Sequence, residues 1–569
     1  MSTQTGVYSN YQNTTDEQVN EVWILVSAAF ILLMQIGTGL FNAGSSQQKS
    51  HQSIFAMKLF EACLGTIGFW LFGYGLAFGK VRKYYGDDSD YFVSRGFEKV
   101  SEDNYTLFMF QVAFSLASTT MISGSMAERA QLPQQILFTF LEQSFIYPVV
   151  IAWVWGGGWL AQNGYHDFAG SGCIHVLGGT CALVGSAVLG PRLNRFKIYT
   201  IDDLIQKEKN LMDDTLQANP IIKFKPAKLT KKKQKLNDSY FENGHIVHIM
   251  RSLSDKNKQR FKKWILDYKF NFTPSNTAYL TLGTFINWIG WLFFNAGSTL
   301  SVQTMRNSGP SKIMFNTILA SSVSGLVVVF LKPHFLRNYT KLYQYDVGQF
   351  CNGICAGLIS ITAPCDCVEP WAAILIGFIG GLFFIFGSMI LIAFKVDDPV
   401  DAIPCHFFAG IWGVLAVGIF HRETGLVNSE YAERFHFLGW QIASLLSIIA
   451  WAGGISLIYF LIARRLKLLR VHPLVEIIGL DRAYFGGLTK KDLKMLKDRY
   501  SIGKTDEKLR QIWKLTALDN NSNSGSSRSN SSSLRDGITK IKQRHNSTLS
   551  SRFNYANELQ VLNLDDNQK

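Results

Sequence analysis

Phe41-Asn42-Ala43-Gly44-Ser45 closes the first long apolar run of the chain, and Phe294-Asn295-Ala296-Gly297-Ser298 closes the sixth. A second pair of matches has the same offset. His175-x-x-x-Gly179 lies in the fifth run and His406-x-x-x-Gly410 in the tenth. Each member stands five runs from its partner. If every run crosses a membrane, an odd offset points the two copies in opposite directions. That is the signature of inverted-topology repeats, with a pathway at their interface. Short matches arise by chance in a Gly-rich chain. Two matches with one shared offset are harder to dismiss.

The runs are long enough to span. A membrane helix needs about 20 mostly apolar residues. Eleven windows qualify: 22–43, 54–79, 105–126, 134–155, 169–190, 277–298, 313–331, 347–364, 370–395, 402–420 and 437–462. The eighth is the weakest, being short and Gly-rich. The expected fold is all-α, a polytopic membrane protein with eleven transmembrane helices in two inverted five-helix repeats. Composition agrees. Hydrophobic residues make up 47% of the 569 and charged residues 17%, against about 25% charged in an ordinary soluble domain. Such a chain cannot cover one surface with polar groups.

Charge sets the orientation. Residues 191–274 carry 19 Lys/Arg and 9 Asp/Glu, and residues 463–569 carry 21 and 11, in a chain of net charge +14. Basic segments mark the cytoplasmic side. With the tail that opens Ala463-Arg464-Arg465-Leu466-Lys467 inside, eleven spans put the N-terminus outside. The basic insert then falls inside as well, an independent agreement. The expected layout is an extracellular N-terminus (1–20), a membrane domain (21–462) with a basic cytoplasmic insert (196–272), and a cytoplasmic tail (463–569), disordered beyond about 519. The insert's Lys231-Lys232-Lys233-Gln234-Lys235 suits contact with anionic lipid. The sequons Asn13-Thr14-Thr15 and Asn104-Tyr105-Thr106 fall outside. No signal peptide is read at the N-terminus. A nucleic-acid partner is not expected, because the charge lacks any finger, knuckle or basic-zipper pattern.

No Walker, dinucleotide-binding, zinc-protease or nucleophile-elbow motif is present, so an enzyme or ATP-driven pump is not expected. The eight Cys fall mostly in apolar runs. Cys351-x-x-x-Cys355 and Cys365-x-Cys367 lack zinc-type spacing, so neither a metal nor another cofactor is expected. Asp397, Asp398 and Asp401 before the tenth window read as an N-terminal cap cluster rather than a calcium cage. Lys58 and Glu61 can pair and snorkel near a span end. Glu142 stands mid-window without an explanation.

His175 and His406 are the sharpest signal. Ionisable groups inside spans are costly, and two at matching repeat positions point to function. Trp155 precedes Gly156-Gly157-Gly158 at an outer span end. It reads as an interface anchor or as a ring facing a cation. Asp167 starts the fifth window, as a cap or as a charge beside a cationic guest.

Several motifs occur in order: Phe110-Gln111-Val112-Ala113-Phe114, Ala127-Glu128-Arg129, Trp155-Gly-Gly-Gly, Asp167-Phe168-Ala169-Gly170 with His175, Gly290-Trp291 with the Phe294 motif, Cys351-Asn352-Gly353-Ile354-Cys355-Ala356-Gly357-Leu358, and Val396-Asp397-Asp398-Pro399 with His406. Together they resemble the ammonium transporter family (Amt/Mep/Rh), nearer the Amt branch, over about residues 20–490 apart from the insert. The resemblance implies the ammonium-transporter fold, homotrimers with one pore per subunit, and a plasma-membrane location. It implies an outer ammonium site at Phe114, Trp155 and Ser298, supported by Asp167. It implies a phenyl gate at Phe114 and Phe294, and a pore lined by His175 and His406. Ammonium, ammonia and the analogue methylammonium are the implied substrates. The insert is longer than the family's usual loop. Gly479-Leu480-Asp481 resembles a regulatory tail motif, but Ala483 stands where a regulatory Thr is expected. The alternatives are an ammonium sensor and an Rh-type gas channel.

Overall fold

A computed structural model describes residues 2–100, 103–193, 195–196, 272–302, 309–340, 345–428, 430–471, 475–476 and 479–486. Most of the basic insert and the Ser-rich tail, for which lipid contact and disorder are expected, lie outside the described residues. Among the described residues there is no β-strand, only one isolated bridge between Ala130 and Arg470.

Each of the eleven windows falls on helix. Helix α1 is Ser2–Ser45, and α2 is His51–Gly68, continued by a π-turn at Phe69–Gly73 and by Tyr74–Phe78. Helix α3 is Asp103–Ser125. Helix α4 is Leu132–Leu141, continued by a π-turn at Glu142–Ile146 and by Tyr147–Val154. Helix α5, Leu177–Leu189, is led by the π-turn Ser171–Val176. Helices α6 (Thr277–Gly297), α7 (Pro310–Thr340), α8 (Val347–Thr362) and α9 (Pro370–Ala393) follow. Helix α10, Ala409–Phe420, is led by the π-turn Pro404–Phe408, and α11 is Arg434–Arg465. Among the described residues, eight helices are long and apolar enough to cross a membrane, and Val347–Thr362 and Pro404–Phe420 are shorter apolar helices.

The repeat motif has a packing reason. A Cβ added at Gly44, at the end of α1, would lie 2.6 Å from the Asn276 carbonyl just before α6. One added at Gly297, at the end of α6, would lie 2.6 Å from Ser27 Cβ on α1. The two helices therefore pack antiparallel, each ending in a glycine that lets the other approach. Small residues at helix interfaces are how membrane helices gain close packing.

Buried charge ties the loops at the ends of α3, α5 and α9. Arg192 Nε lies 2.7 Å from Asp397 and its Nη1 3.1 Å from Glu128. Arg129 donates to the Asp397 backbone carbonyl at 2.6 Å and to that of Gly190 at 2.9 Å. Burial alone would raise the Asp397 carboxyl, but Arg192 and Arg129 hold it well below the usual carboxylate range. The expected cap cluster is thus divided. Asp398 does cap, accepting from the N–H groups of Val400 (3.2 Å) and Ile403 (2.7 Å). Asp397 is an ion-pair residue.

Three other expectations change. Lys58 and Glu61 do pair, at 2.7 Å, but they are 6% and 0% exposed, so Lys58 does not snorkel. Its ammonium instead donates to Ser123 on α3 at 3.0 Å. Glu142 finds its explanation at a π-turn, accepting from the Ser118 hydroxyl at 2.5 Å and from the Gln143 amide at 2.8 Å. Asn104 is buried, with its side-chain oxygen 3.4 Å from the Tyr74 hydroxyl, which leaves its sequon poorly placed for a glycan.

The first part of the tail docks. Asp481 accepts from the N–H groups of Gln52 (2.9 Å) and Ser53 (2.7 Å), capping α2. Glu476 accepts from the N–H of Leu193 at 2.6 Å and pairs with Arg470 at 2.8 Å.

Candidate functional site

The residues singled out in the sequence form one connected set. Phe114 on α3 and Phe294 on α6 lie with ring centroids 4.2 Å apart, and both are fully buried. Trp155, at the end of α4, meets Phe114 edge to face at 5.7 Å. Below the phenyl pair, His175 lies 5.9 Å from Phe294 and 5.2 Å from His406, centroid to centroid. The two imidazoles approach at Nδ1–Nδ1 3.2 Å. At that distance one nitrogen donates and the other accepts, so the pair shares one N–H between them. The order Trp155, Phe114, Phe294, His175, His406 is a column of rings running into the protein.

Trp155 is not a free interface anchor. It is half-buried, and its indole N–H donates to the Asp167 carbonyl at 2.9 Å. The Asp167 side chain is buried under the turn. Its carboxylate accepts from the N–H groups of Gly170 (3.0 Å), Gly172 (2.9 Å) and Cys173 (2.9 Å), with the Tyr165 hydroxyl at 3.3 Å. It therefore caps the π-turn that carries His175, and Gly170 supplies the positive φ of 105° that turn needs. Burial pushes this carboxyl above the usual carboxylate range, against the pull of those N–H groups. Ser298 stands one turn beyond Phe294, its hydroxyl donating back to the Phe294 carbonyl at 2.9 Å and its lone pairs left to accept.

Both histidines sit on π-turns, Ser171–Val176 and Pro404–Phe408. Such turns are frequent at functional sites because one extra residue redirects the side chains. The glycines of the two His-x-x-x-Gly motifs explain how the turns meet. A Cβ at Gly179 would lie 2.6 Å from the Phe407 backbone nitrogen, and one at Gly410 would lie 2.9 Å from the Ser171 carbonyl. Each repeat's glycine is a notch for the other repeat's histidine turn.

His406 borders a cavity of about 40 Å³ lined also by Thr38, Asn42, Asn287, Asn352 and Cys405. A cavity this size holds about two or three molecules as small as water. His175 is 1% exposed, and its Nε2 has no partner among the described residues. The arrangement thus offers an aromatic outer face, a closed phenyl pair, two imidazoles and a small chamber whose lining is largely apolar, with a few amide and hydroxyl groups.

Sequence reasoning assigned no role to Trp291, which stacks on His175 at 5.1 Å and donates its N–H to the Thr362 hydroxyl at 2.9 Å. Its spacing of three from Phe294, on one helix face, is a signal that could have found it. The chamber draws on distant helices, and no local signal marks it.

A model of the "Ammonium Transporter Family" matches residues 22–210 and 252–490. The chain is 29% identical to "Ammonium transporter 1 member 3" of Solanum lycopersicum, covering 84% of this chain and 94% of that one. It is 30% identical to "Ammonium transporter Amt2" of Archaeoglobus fulgidus, covering 82% and 86%. Among solved structures it is similar to a "Sensor Amt Protein" (TM-score 0.64, 27% identity, 83% of this chain and 100% of that one). It shares its fold with Mep2 of Candida albicans (TM-score 0.60, 22% identity, 80% and 86%).

Proposed function

The chain belongs to the ammonium transporter family, an integral membrane family of transporters rather than enzymes, and on that premise we propose how its column of rings moves ammonium. Ammonium is recruited outside by Phe114, Trp155 and Ser298. An aromatic face and a hydroxyl oxygen replace part of its water. Asp167 holds the turn behind them and adds negative charge. A bare cation does not pass the apolar phenyl pair, because moving a charge into low dielectric is very costly. The ion gives up its proton near Phe114 and Phe294. Neutral ammonia passes them, meets the His175–His406 pair, which can both donate to it and accept from it, and leaves through the chamber below. The single observation that carries this reading is the unbroken ring series from Trp155 to His406, closed by a phenyl contact of 4.2 Å.

We place the protein in the plasma membrane, N-terminus outside and tail inside, as a homotrimer in contact with membrane lipid. The deciding experiment measures current and labelled methylammonium uptake together, in cells lacking their own ammonium transporters. Uptake without current supports ammonia conduction. Current proportional to uptake means net NH4+ transport, and the question becomes by what route the proton crosses. A sensor reading is favoured by one observation, the likeness to a protein described as a sensor. It gains if neither signal appears while the protein reaches the surface.

A further inference from the structure

Three loops meet beside the Asp167 turn. The loop before Ser171 carries His166, the α8–α9 turn carries Cys367, and the turn after α10 carries His421. One donor atom of each lies within 4.8 Å of the others. A tetrahedral zinc ion with N and S ligands at about 2.0–2.3 Å spaces those ligands by roughly 3.3–3.6 Å. Reaching that spacing requires the two rings and the thiol to turn toward one point.

The scaffold is already fixed by backbone bonds. The N–H groups of Phe168 and Ala169 donate to the carbonyls of Ala363 and Thr362, both at 3.2 Å. The N–H of Arg422 donates to the Cys367 carbonyl at 3.0 Å. The Gln441 amide brackets the His166 backbone, its nitrogen 3.1 Å from the carbonyl and its oxygen 3.0 Å from the N–H. The two imidazoles meet edge to face at 5.5 Å. Asp366 lies 3.0 Å from His166 Nε2. Carboxylates orient metal-binding imidazoles by this pairing.

We propose that His166, Cys367 and His421 form a zinc-binding site at the outer mouth, next to the residues that recruit ammonium. Binding replaces the Cys367 S–H by a zinc–thiolate bond and releases the thiol proton to water. Both imidazoles are half-buried, which leaves an approach from solvent. His421 Nδ1 also accepts from the N–H groups of Glu423 and Thr424, at 3.2 and 3.1 Å. The metal competes with that turn, so the site is weaker than a closed structural zinc site and open to exchange. A dipositive ion here repels a monovalent cation approaching Asp167. This last consequence rests on the transport reading, whereas binding does not. No local motif announces the site, because its donors stand far apart in the chain.

The test uses the full-length protein in metal-free buffer with Co2+ as a spectroscopic probe. The expected result is one thiolate-to-cobalt charge-transfer band per chain, displaced by Zn2+. The band is lost in Cys367→Ser, kept in Cys365→Ser, and needs at least tenfold more Co2+ in His421→Ala. Should Cys367→Ser fail to fold, the half-buried His421 variant decides alone. No band in the wild type, or an unchanged titration in His421→Ala, overturns the proposal. In cells, external Zn2+ should raise the half-saturation for methylammonium several-fold in the wild type and not in His421→Ala. Bound Co2+ without that inhibition removes the regulatory role. Absent uptake in zinc-free wild type counts against the transport reading instead.

Discussion

On the proposed transport reading, Trp155 and His175 do different work, and substitutions should separate them. Trp155 offers a ring at the outside end of the column, so its removal weakens recruitment before it touches passage. Loss of a cation–π contact of about 0.5–2 kcal/mol corresponds to a rise in half-saturation of about 2- to 30-fold for Trp155→Ala. An unchanged half-saturation in uptake assays removes Trp155 from the recruitment role. His175→Asp places a fixed charge beside His406 where the reading requires a neutral donor–acceptor pair. Conduction should be abolished or altered in kind while the oligomer still assembles, as read by transport and by size-exclusion chromatography of the same preparation. Normal transport would falsify the pore assignment. At this scale the sequence was informative in two ways. The two histidines stood out as costly groups at depth in matching repeat positions, whereas the phenyl pair, Ser298 and the site roles of Trp155 and Asp167 came only from the family resemblance. The capping geometry of Asp167 was not, since a carboxylate before a helix looks alike whether it serves backbone or guest.

The π-turns are the element on which the pair depends. Their single-residue widening leaves no trace in hydrophobic periodicity, so the sequence windows read as plain helix. The glycines opposite them were visible as motifs, but their purpose was not. Gly179→Ala would force a methyl to within 2.6 Å of the Phe407 backbone, which cannot swing aside as a side chain can. Overpacking of this kind costs about 1–3 kcal/mol. We expect a lowered melting temperature together with impaired transport, and equal values for both variant and wild type would contradict the notch. The Arg192–Asp397 pair belongs to this scale also. Removing one partner of a buried pair costs about 3–5 kcal/mol, so Asp397→Ala should melt well below the wild type near neutral pH. The folded carboxyl titrates below its unfolded value of about 3.9. Its stabilisation is therefore full above that value and lost as pH falls through the folded one. The gap between variant and wild-type melting curves should hold from pH 8 to 5 and narrow only below about 4.

For the whole molecule, the eleven windows that fall on helix were carried by composition, and the antiparallel meeting of α1 with α6 by the five-run offset. What stayed hidden was everything made by helices and loops from opposite halves: the chamber below His406, the Arg192 network, and the meeting of His166 with Cys367 and His421. These depend on contacts of long sequence separation, which no local pattern encodes. Trimer formation is expected from the family resemblance. Native mass spectrometry of the detergent-purified protein should give three chains per particle, and a monodisperse monomer that still transports would refute it.

The paired notches also bear on how the protein is made. Gly179 is filled by a turn that the ribosome adds more than two hundred residues later. At ordinary synthesis rates that is roughly 10–45 s. Throughout that interval the nascent first half sits in the bilayer with an empty groove and a solitary imidazole. The meeting of the two histidine turns is thus among the last contacts to form. A chain truncated between the two histidines would carry that unfinished groove permanently, as a mark by which membrane quality control can distinguish abandoned products from completed ones.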